Sequence, residues 1–527
     1  MYKINIHEMN SKELFNLKNT WVYVVLGAHI FVWVLAHGVS DTNLDGYADM
    51  LENFAWGQHL EWGSAKHPPL FAWVTGVWFA LLPTQDVFYH FLSYGNAALG
   101  LLGVYRLALA MQKPQWAWPS VVLLCLAFPY STLAVKFNAN AILLSVWPWV
   151  AVAWWHSVHK NTQLPWLTSV ALGLLSALAM LGKYYSGVFL LSIFLVSLTF
   201  KTGREWFKSY HPWLALLVFA LGLLPHLHWL KQHDYVTFRY LGDQGGEDGV
   251  AWGMVTKFAI IPMAYWLIAW LTCTWVYAPG HPTLLQRLQG WPARLVRSWL
   301  PNAWHDTLFW LAMLPWAISL AFGATGFVEL SMPWAIPIGY GFSLLWLRNL
   351  HTEQVDTALT HQMLKKTFIA WSVLVLLISP WYAWHQAQKG TENHYLPRRE
   401  AAAALLKGWQ ERHPQVPLQW VGGQWAENAL LAFYGDNRLQ VVAGVPNAFP
   451  ATVTPLPHWE QQGGLLLCPL GPVERPASTT CPEDMRAWLQ SVGQPTQGIT
   501  LVVQSEGYRF PRSIPFQYLV FDYLPKP

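Results

Sequence analysis

Charge is what this chain has least of: only 11% of its 527 residues are Asp, Glu, Lys or Arg, against roughly 25% in ordinary soluble domains. The few cations are scattered, with a net charge of +4 and no basic tract, which argues against nucleic acid as a partner. Neither GxGxxG nor a GKS or GKT phosphate loop occurs, so no cradle for a soluble nucleotide is present. Cysteine is limited to four positions. Carboxylates are scarce inside the apolar stretches and no inverted repeat is visible, which makes a non-enzymatic lipid-linked sugar transporter or flippase the lesser alternative to an enzyme.

What fills the chain instead is apolar: 54% of residues are hydrophobic, with 35 Trp and 21 Tyr suited to the membrane–water interface. Apolar segments of spanning or near-spanning length lie at about 19–37, 88–111, 117–135, 141–157, 166–182, 185–200, 212–230, 253–277, 307–325, 332–347 and 367–385, which predicts about eleven transmembrane helices. The stretch from Pro69 to Leu82 is too short and too fenced by proline to span, and reads as an interfacial helix. The N-terminal twenty residues are polar and too many for a signal-peptide n-region, so the first apolar segment is expected to stay as an anchor.

Loop charge sets an orientation. With the N-terminus cytoplasmic, inside loops hold Lys113, Lys160, Lys201, Arg204, Lys208, Arg287, Arg294, Arg297, Arg348, Lys365 and Lys366. The tail beyond residue 388 then lies outside, together with the loop Asp41 to Leu70. Against this bias, Lys66, Lys136, Lys183, Lys231 and Arg239 fall at outer span ends, where several cations on one face point to an anionic ligand. A single one of them would be an ordinary snorkelling residue.

The outer loop concentrates the chemistry. Asp41, Asp45, Asp49, Glu52 and Glu61 stand close to Lys66-His67 and the rigid Pro68-Pro69. A solvated connecting loop would carry acids too, but carboxylates beside cations at the membrane surface also suit a base facing a lipid phosphate. Lys66, Lys136 and Lys183 could hold the phosphate as charge develops on it, and one carboxylate, Asp49 by preference, could deprotonate an acceptor hydroxyl. No cofactor is implied. A divalent metal would be compatible with the acids, yet nothing in the sequence supports one, and His226-Leu227-His228 is a weak metal pattern better read as polar packing.

Residues 388–527 read as a soluble α/β domain. A helix-like stretch at Arg398 to Arg412 precedes short apolar runs at Leu418–Val421, Leu439–Val442, Leu465–Cys468, Thr500–Val503 and Tyr518–Phe521, with further helix-like stretches at Trp425–Tyr434 and Pro482–Val492. Cys468 and Cys481 in this outer tail are expected to form a disulfide in an oxidising periplasm, whereas Cys125 and Cys273 lie in apolar segments as small hydrophobes.

The outer-loop acids, KHPPL about eighteen residues after Asp49, KFNAN, LGKYYSG and PHLHWL occur in an order that resembles the family 39 glycosyltransferases of the GT-C superfamily. That family includes bacterial relatives of protein O-mannosyltransferases and of the aminoarabinose transferase acting on lipid A, and the resemblance covers roughly residues 19–240. It implies a mainly α, polytopic GT-C domain over residues 1–387, with a catalytic first outer loop at about 39–87 and the α/β domain at 388–527 outside. In the family an Asp-Glu pair opens that loop with the Asp at the catalytic centre, which corresponds here to Asp49. Met50 stands where the Glu is usual, leaving Glu52 or Asp45 as its replacement. Where aminoarabinose transferases carry Glu-Lys-Pro, this chain has Lys66-His67-Pro68, so either Lys66 or His67 is the phosphate-binding cation. Lys136 with Asn138, Lys183 with Tyr184, and Arg239 complete the expected substrate contacts.

The implied activity is inverting transfer of a hexose or pentose from a polyprenyl-phosphate donor, such as undecaprenyl phosphate, at the periplasmic face of a bacterial inner membrane. The acceptor expected first is lipid A or lipopolysaccharide, with O-antigen glycan or protein as the alternative.

Overall fold

A computed structural model describes residues 20–45, 48–159, 164–243, 249–280, 282–389, 396–423, 425–442, 458–504 and 515–525. Helices α1 (Thr20–Ser40), α2 (Asp49–Gly57), α3 (Leu70–Leu81), α4 (Asp86–Ala110), α5 (Pro114–Cys125), α6 (Ile142–His159), α7 (Pro165–Gly182) and α8 (Ser186–Thr199) form the first half. The second half comprises α9 (Lys201–Phe207), α10 (His211–Gln232), α11 (Val236–Asp243), α12 (Trp252–Val276), α13 (Leu284–Arg297), α14 (Thr307–Ala324), α15 (Phe342–Leu350) and α16 (Thr357–Lys389).

Proline punctuates these helices where their first N–H groups need no partner. Pro114 and Pro165 open α5 and α7. Among the described residues, six helices (α1, α7, α10, α12, α14 and α16) are long and apolar enough to cross a membrane, or eight spans if each bent pair is one. The bent pairs are α5 with Phe128–Val135, turned by 80°, and α8 with α9, turned by 109°. Each of the eleven apolar segments expected from sequence falls on helical structure. Three do not meet the length and hydropathy of a regular span, for identifiable reasons. His90, Ser93 and Asn96 make α4 more polar, and α6 carries Trp and His along its length. The 332–347 segment is broken into Met332–Ala335 and Ile338–Gly341 turns before the short α15, because Pro333 and Pro337 each remove a backbone donor. The proline-fenced stretch after Pro69 is the 12-residue α3.

The C-terminal region is α/β. It begins with α17 (Arg398–Arg412) and includes α18 (Trp425–Leu430), continued by a wider turn at Leu431–Gly435, and α19 (Cys481–Ser491). Five strands, β1 (Leu418–Gly423), β2 (Gln440–Val441), β3 (Gly463–Pro472), β4 (Ile499–Val503) and β5 (Phe516–Tyr523), form one sheet in the order β2-β1-β3-β5-β4. β2, β1 and β3 are parallel, and β5 and β4 are antiparallel to their neighbours. The fully buried Leu465–Cys468 run of β3 suits a central strand covered on both faces. Cys468 and Cys481 are joined as a disulfide, linking β3 to α19 across a sequence separation of 13.

This region sits directly on the first loop. Phe433 inserts its ring among Phe54 of α2, Phe79 of α3 and Tyr89 of α4, at centroid distances of 5.2, 5.4 and 5.9 Å. The amide of Gln58 donates to Leu439 O at 2.9 Å and accepts from Val441 N at 3.1 Å, extending the edge at β2. Asn43 donates to Leu396 O at 3.0 Å. Within the loop, α2 and α3 cross at two glycines: a Cβ on Gly76 would lie 2.2 Å from Gly57 O, so neither position has room for a side chain.

Candidate active site

The site is built outward from the first turn of α2. Ala48 precedes it in the left-handed region, at φ 56 and ψ 19, a conformation costing a non-glycine residue roughly 1–2 kcal/mol. Asp45 offsets that strain: its Oδ2 accepts from Met50 N at 2.9 Å and so caps the helix. The Asp45 carboxyl is buried, which pushes its pKa up against the opposing pull of Lys136. Its geometry makes it a support for α2.

Asp49 and Glu52, three residues apart, lie on neighbouring positions of α2 and each meets a cation. Lys136 Nζ lies 2.8 Å from Asp49 Oδ2, and Asn138 Nδ2 donates to the same oxygen at 3.2 Å. Asp49 Oδ1 has no hydrogen-bond partner among the described residues, and the side chain is 38% exposed. Glu52 is buried and bound to Lys66 Nζ at 2.5 Å. Asn53 donates to Phe137 O at 2.5 Å, tying α2 to the KFNAN segment.

KFNAN connects this carboxylate to a second lysine. Asn138 Oδ1 accepts from Asn140 N and Ala141 N, at 2.9 and 3.1 Å, holding the turn before α6. Asn140 Oδ1 in turn accepts from Lys183 Nζ at 2.6 Å. Lys183 follows the last residue of α7 and lies 5.5 Å from the Trp334 ring centroid. Burial lowers its pKa to about 7, with Asp49 pulling the other way.

Lys66, His67, Asn140, Lys183, Tyr184 and Glu329 border one cavity of about 580 Å³, also lined by Thr237, Tyr240, Ser331 and Trp334. His67 is half-buried, and desolvation followed by the charges of Lys183 and Lys66 drives its pKa well below the usual imidazole value. Of the two phosphate-binding cations expected at this position, the structure therefore offers Lys66 as the charged one, with His67 as a neutral wall. Tyr184 contributes its hydroxyl, bonded to His226 Nε2 at 2.6 Å, while His226 Nδ1 meets Trp62 O at 2.5 Å. His226 is thus a polar packing partner, and among the described residues no group of three His, Cys, Asp or Glu is gathered to hold a metal.

Three expected cations do not line the cavity: Lys136 is engaged by Asp49 beside it, and two others lie on exposed surface. Arg239 projects from the exposed side of α11 while its neighbour Tyr240 lines the site, and Lys231 is exposed at the end of α10. Conversely, Asn140, Glu329 and Trp334 were not singled out by sequence. Asn140 stands inside the motif that supplied Lys136 and Asn138, so its signal was present. Glu329 and Trp334 come from the connection around the broken 332–347 segment, whose sequence carries no motif.

Long apolar helices, a loop helix carrying paired carboxylates and an α/β region seated on that loop define a polytopic membrane protein. Residues 66–229 match the family of dolichyl-phosphate-mannose-protein mannosyltransferases. Two solved structures of ArnT from Cupriavidus metallidurans superpose on nearly the whole chain. The one bound to undecaprenyl phosphate gives a TM-score of 0.54 at 14% identity, covering 95% of this chain and 98% of ArnT. The apo structure gives 0.55 at 14% identity, covering 97% and 100%. No curated protein sequence matches the chain. The chain therefore shares the fold of ArnT over nearly its whole length.

Proposed function

We propose that this protein is an integral-membrane glycosyltransferase that takes a sugar from a polyprenyl-phosphate donor, undecaprenyl phosphate in a bacterial inner membrane, and transfers it to an envelope glycolipid such as lipid A at the periplasmic face. In this reading residues 1–387 form the catalytic membrane domain and 388–527 a periplasmic α/β domain over its first loop. One observation carries it: Lys66 and Lys183 border a single cavity while Asp49 stands next to it, held by Lys136 and joined to Lys183 through Asn138 and Asn140. The likeness to an undecaprenyl-phosphate-bound ArnT supports the donor class.

The chemistry follows from that placement. The bond between the sugar's anomeric carbon and the phosphate oxygen breaks, and its electron pair stays on the phosphate, where Lys66 and Lys183 meet the growing negative charge. The acceptor oxygen attacks from the opposite face and its proton passes to Asp49, inverting the anomeric centre. Glu52 holds Lys66 in position by their ion pair. Binding donor phosphate next to Lys183 also restores the proton that burial has loosened.

A protein hydroxyl is the second acceptor reading, favoured by the match of residues 66–229 to a family that mannosylates proteins. Mass spectrometry of envelope lipids, glycans and proteins from cells with and without the gene separates the two. A glycolipid that loses one sugar in the deletion and regains it with the wild-type gene, but not with Asp49→Asn, supports the proposal. An unchanged set of glycolipids and glycoproteins sinks it.

A further inference from the structure

We propose that Tyr184 marks the sugar end of the cavity: its phenol oxygen accepts a hydrogen bond from a hydroxyl or amine of the donor's sugar, because His226 holds the phenol proton on the protein side. The inference rests on reading the cavity as a polyprenyl-phosphate-sugar site and adds which part of the donor lies where.

The polarity follows from one carbonyl. Trp62 O only accepts, so His226 Nδ1, 2.5 Å away, carries a hydrogen. In a neutral imidazole the other nitrogen then has a lone pair, and the contact of 2.6 Å between Nε2 and Tyr184 must be donated by the phenol. Burial raises the phenol's pKa, which keeps its single proton in place, and stacking on Phe238 at 5.1 Å and 26° fixes the ring.

What remains toward the cavity is an oxygen with lone pairs. Phosphate oxygens have none but acceptor character and are disfavoured there, whereas a sugar O–H or N–H fits. Lys66 and Lys183 present only donors to the same space. The cavity is therefore divided by hydrogen-bond polarity into a phosphate end at the lysines and a sugar end at Tyr184. The carbonyl that sets this polarity, Trp62 O, belongs to the first loop.

The test compares binding of bare undecaprenyl phosphate with undecaprenyl-phosphoryl-mannose and undecaprenyl-phosphoryl-arabinose to the purified full-length protein. The wild type should bind at least one sugar-linked lipid more tightly than the bare one. Tyr184→Phe should remove that gain, roughly tenfold for one lost hydrogen bond to a partner left unpaired, while leaving the bare lipid's affinity unchanged. His226→Phe, which lets the phenol proton turn into the cavity, should lose the same gain, and Lys183→Ala should weaken all three lipids together. Tyr184→Phe weakening bare and sugar-linked lipid equally, an intact gain in that variant, or a wild type without any gain each overturn the assignment. Loss at Lys183 with no effect at Tyr184 overturns this inference alone; a wild type that binds none of the three overturns the function proposal with it.

Discussion

Arg398, only 1% exposed, donates through Nη1 to the backbone carbonyl of Asp45 at 2.5 Å, joining residues 353 apart in sequence. The contact places a C-terminal guanidinium directly behind the residue that caps α2 and, through it, behind Asp49. A charged group buried this deeply is stable only where its donors are used. Here one of them fixes the loop that carries the candidate base, which gives the α/β region a role in the site without supplying any cavity-lining residue.

Arg398→Gln should therefore lower kcat about tenfold while changing donor KM less than threefold, since removing one partner of a charged hydrogen bond costs roughly 1.5–3 kcal/mol and loosens α2 more than the lysines. Arg398→Lys should recover part of the rate. The measurement is steady-state transfer with purified variants, and a rise in donor KM with unchanged kcat would show that Arg398 does not act through Asp49.

Asp49→Asn keeps size and hydrogen-bonding capacity at Lys136 and Asn138 while removing the charge, so transfer should fall at least about a hundredfold with thermal stability retained. Glu52→Gln should act differently: it releases Lys66 from a buried ion pair, and the defect should appear in donor binding. High donor concentration should rescue Glu52→Gln in part and never Asp49→Asn. Full activity in Asp49→Asn with a dead Glu52→Gln would exchange their roles.

The membrane class, the helical segments and the α/β tail were legible because each rests on local pattern: long apolar runs for helices, short apolar runs between turn residues for strands. The acids and Lys66, Lys136 and Lys183 were legible as a set because cations at outer span ends violate the charge bias. The pairing was not. That Asp49 meets Lys136 while Glu52 meets Lys66 depends on where the turn after Phe128–Val135 returns to α2, and a sequence does not carry that distance. Arg239 shows the same limit from the other side: one position along α11 separates an exposed arginine from the cavity-lining Tyr240. Arg398 was hidden in an ordinary helix start, where an arginine usually faces water.

Lys183 gives the protein a pH dependence whose sign is fixed. Its folded pKa, about 7, lies below the ordinary 10.5, so the unfolded chain holds a proton that the folded one gives up between those values. Its contribution to stability accordingly rises with pH across that window and is constant below it. Donor binding runs the opposite way: the phosphate favours the charged amine, so affinity should be greatest below pH 7 and weaken toward a tenfold loss per pH unit above it. Isothermal titration in two buffers of different ionisation enthalpy should register proton uptake on binding undecaprenyl phosphate near pH 7.5. Lys183→Arg should abolish both the uptake and the slope, and a slope that survives in that variant would assign it to another group.

The disulfide between Cys468 and Cys481 constrains the same region from its far side. It ties the central strand β3 to α19 over a separation of 13, and closing a loop of that size stabilises by about 3 kcal/mol in the chain-entropy account. Alkylation of the unfolded, unreduced protein should label Cys125 and Cys273 and leave the other two unmodified. Cys468→Ser with Cys481→Ser should lower the unfolding temperature of the α/β region, yet kcat below that transition should stay within about twofold of wild type. The reason is positional: Arg398 and Phe433, which hold the first loop, lie on α17 and the turn after α18, whereas the disulfide joins β3 to α19. A double variant as inactive as Arg398→Gln at temperatures where it remains folded would mean that α19 and β3 transmit their order to the loop.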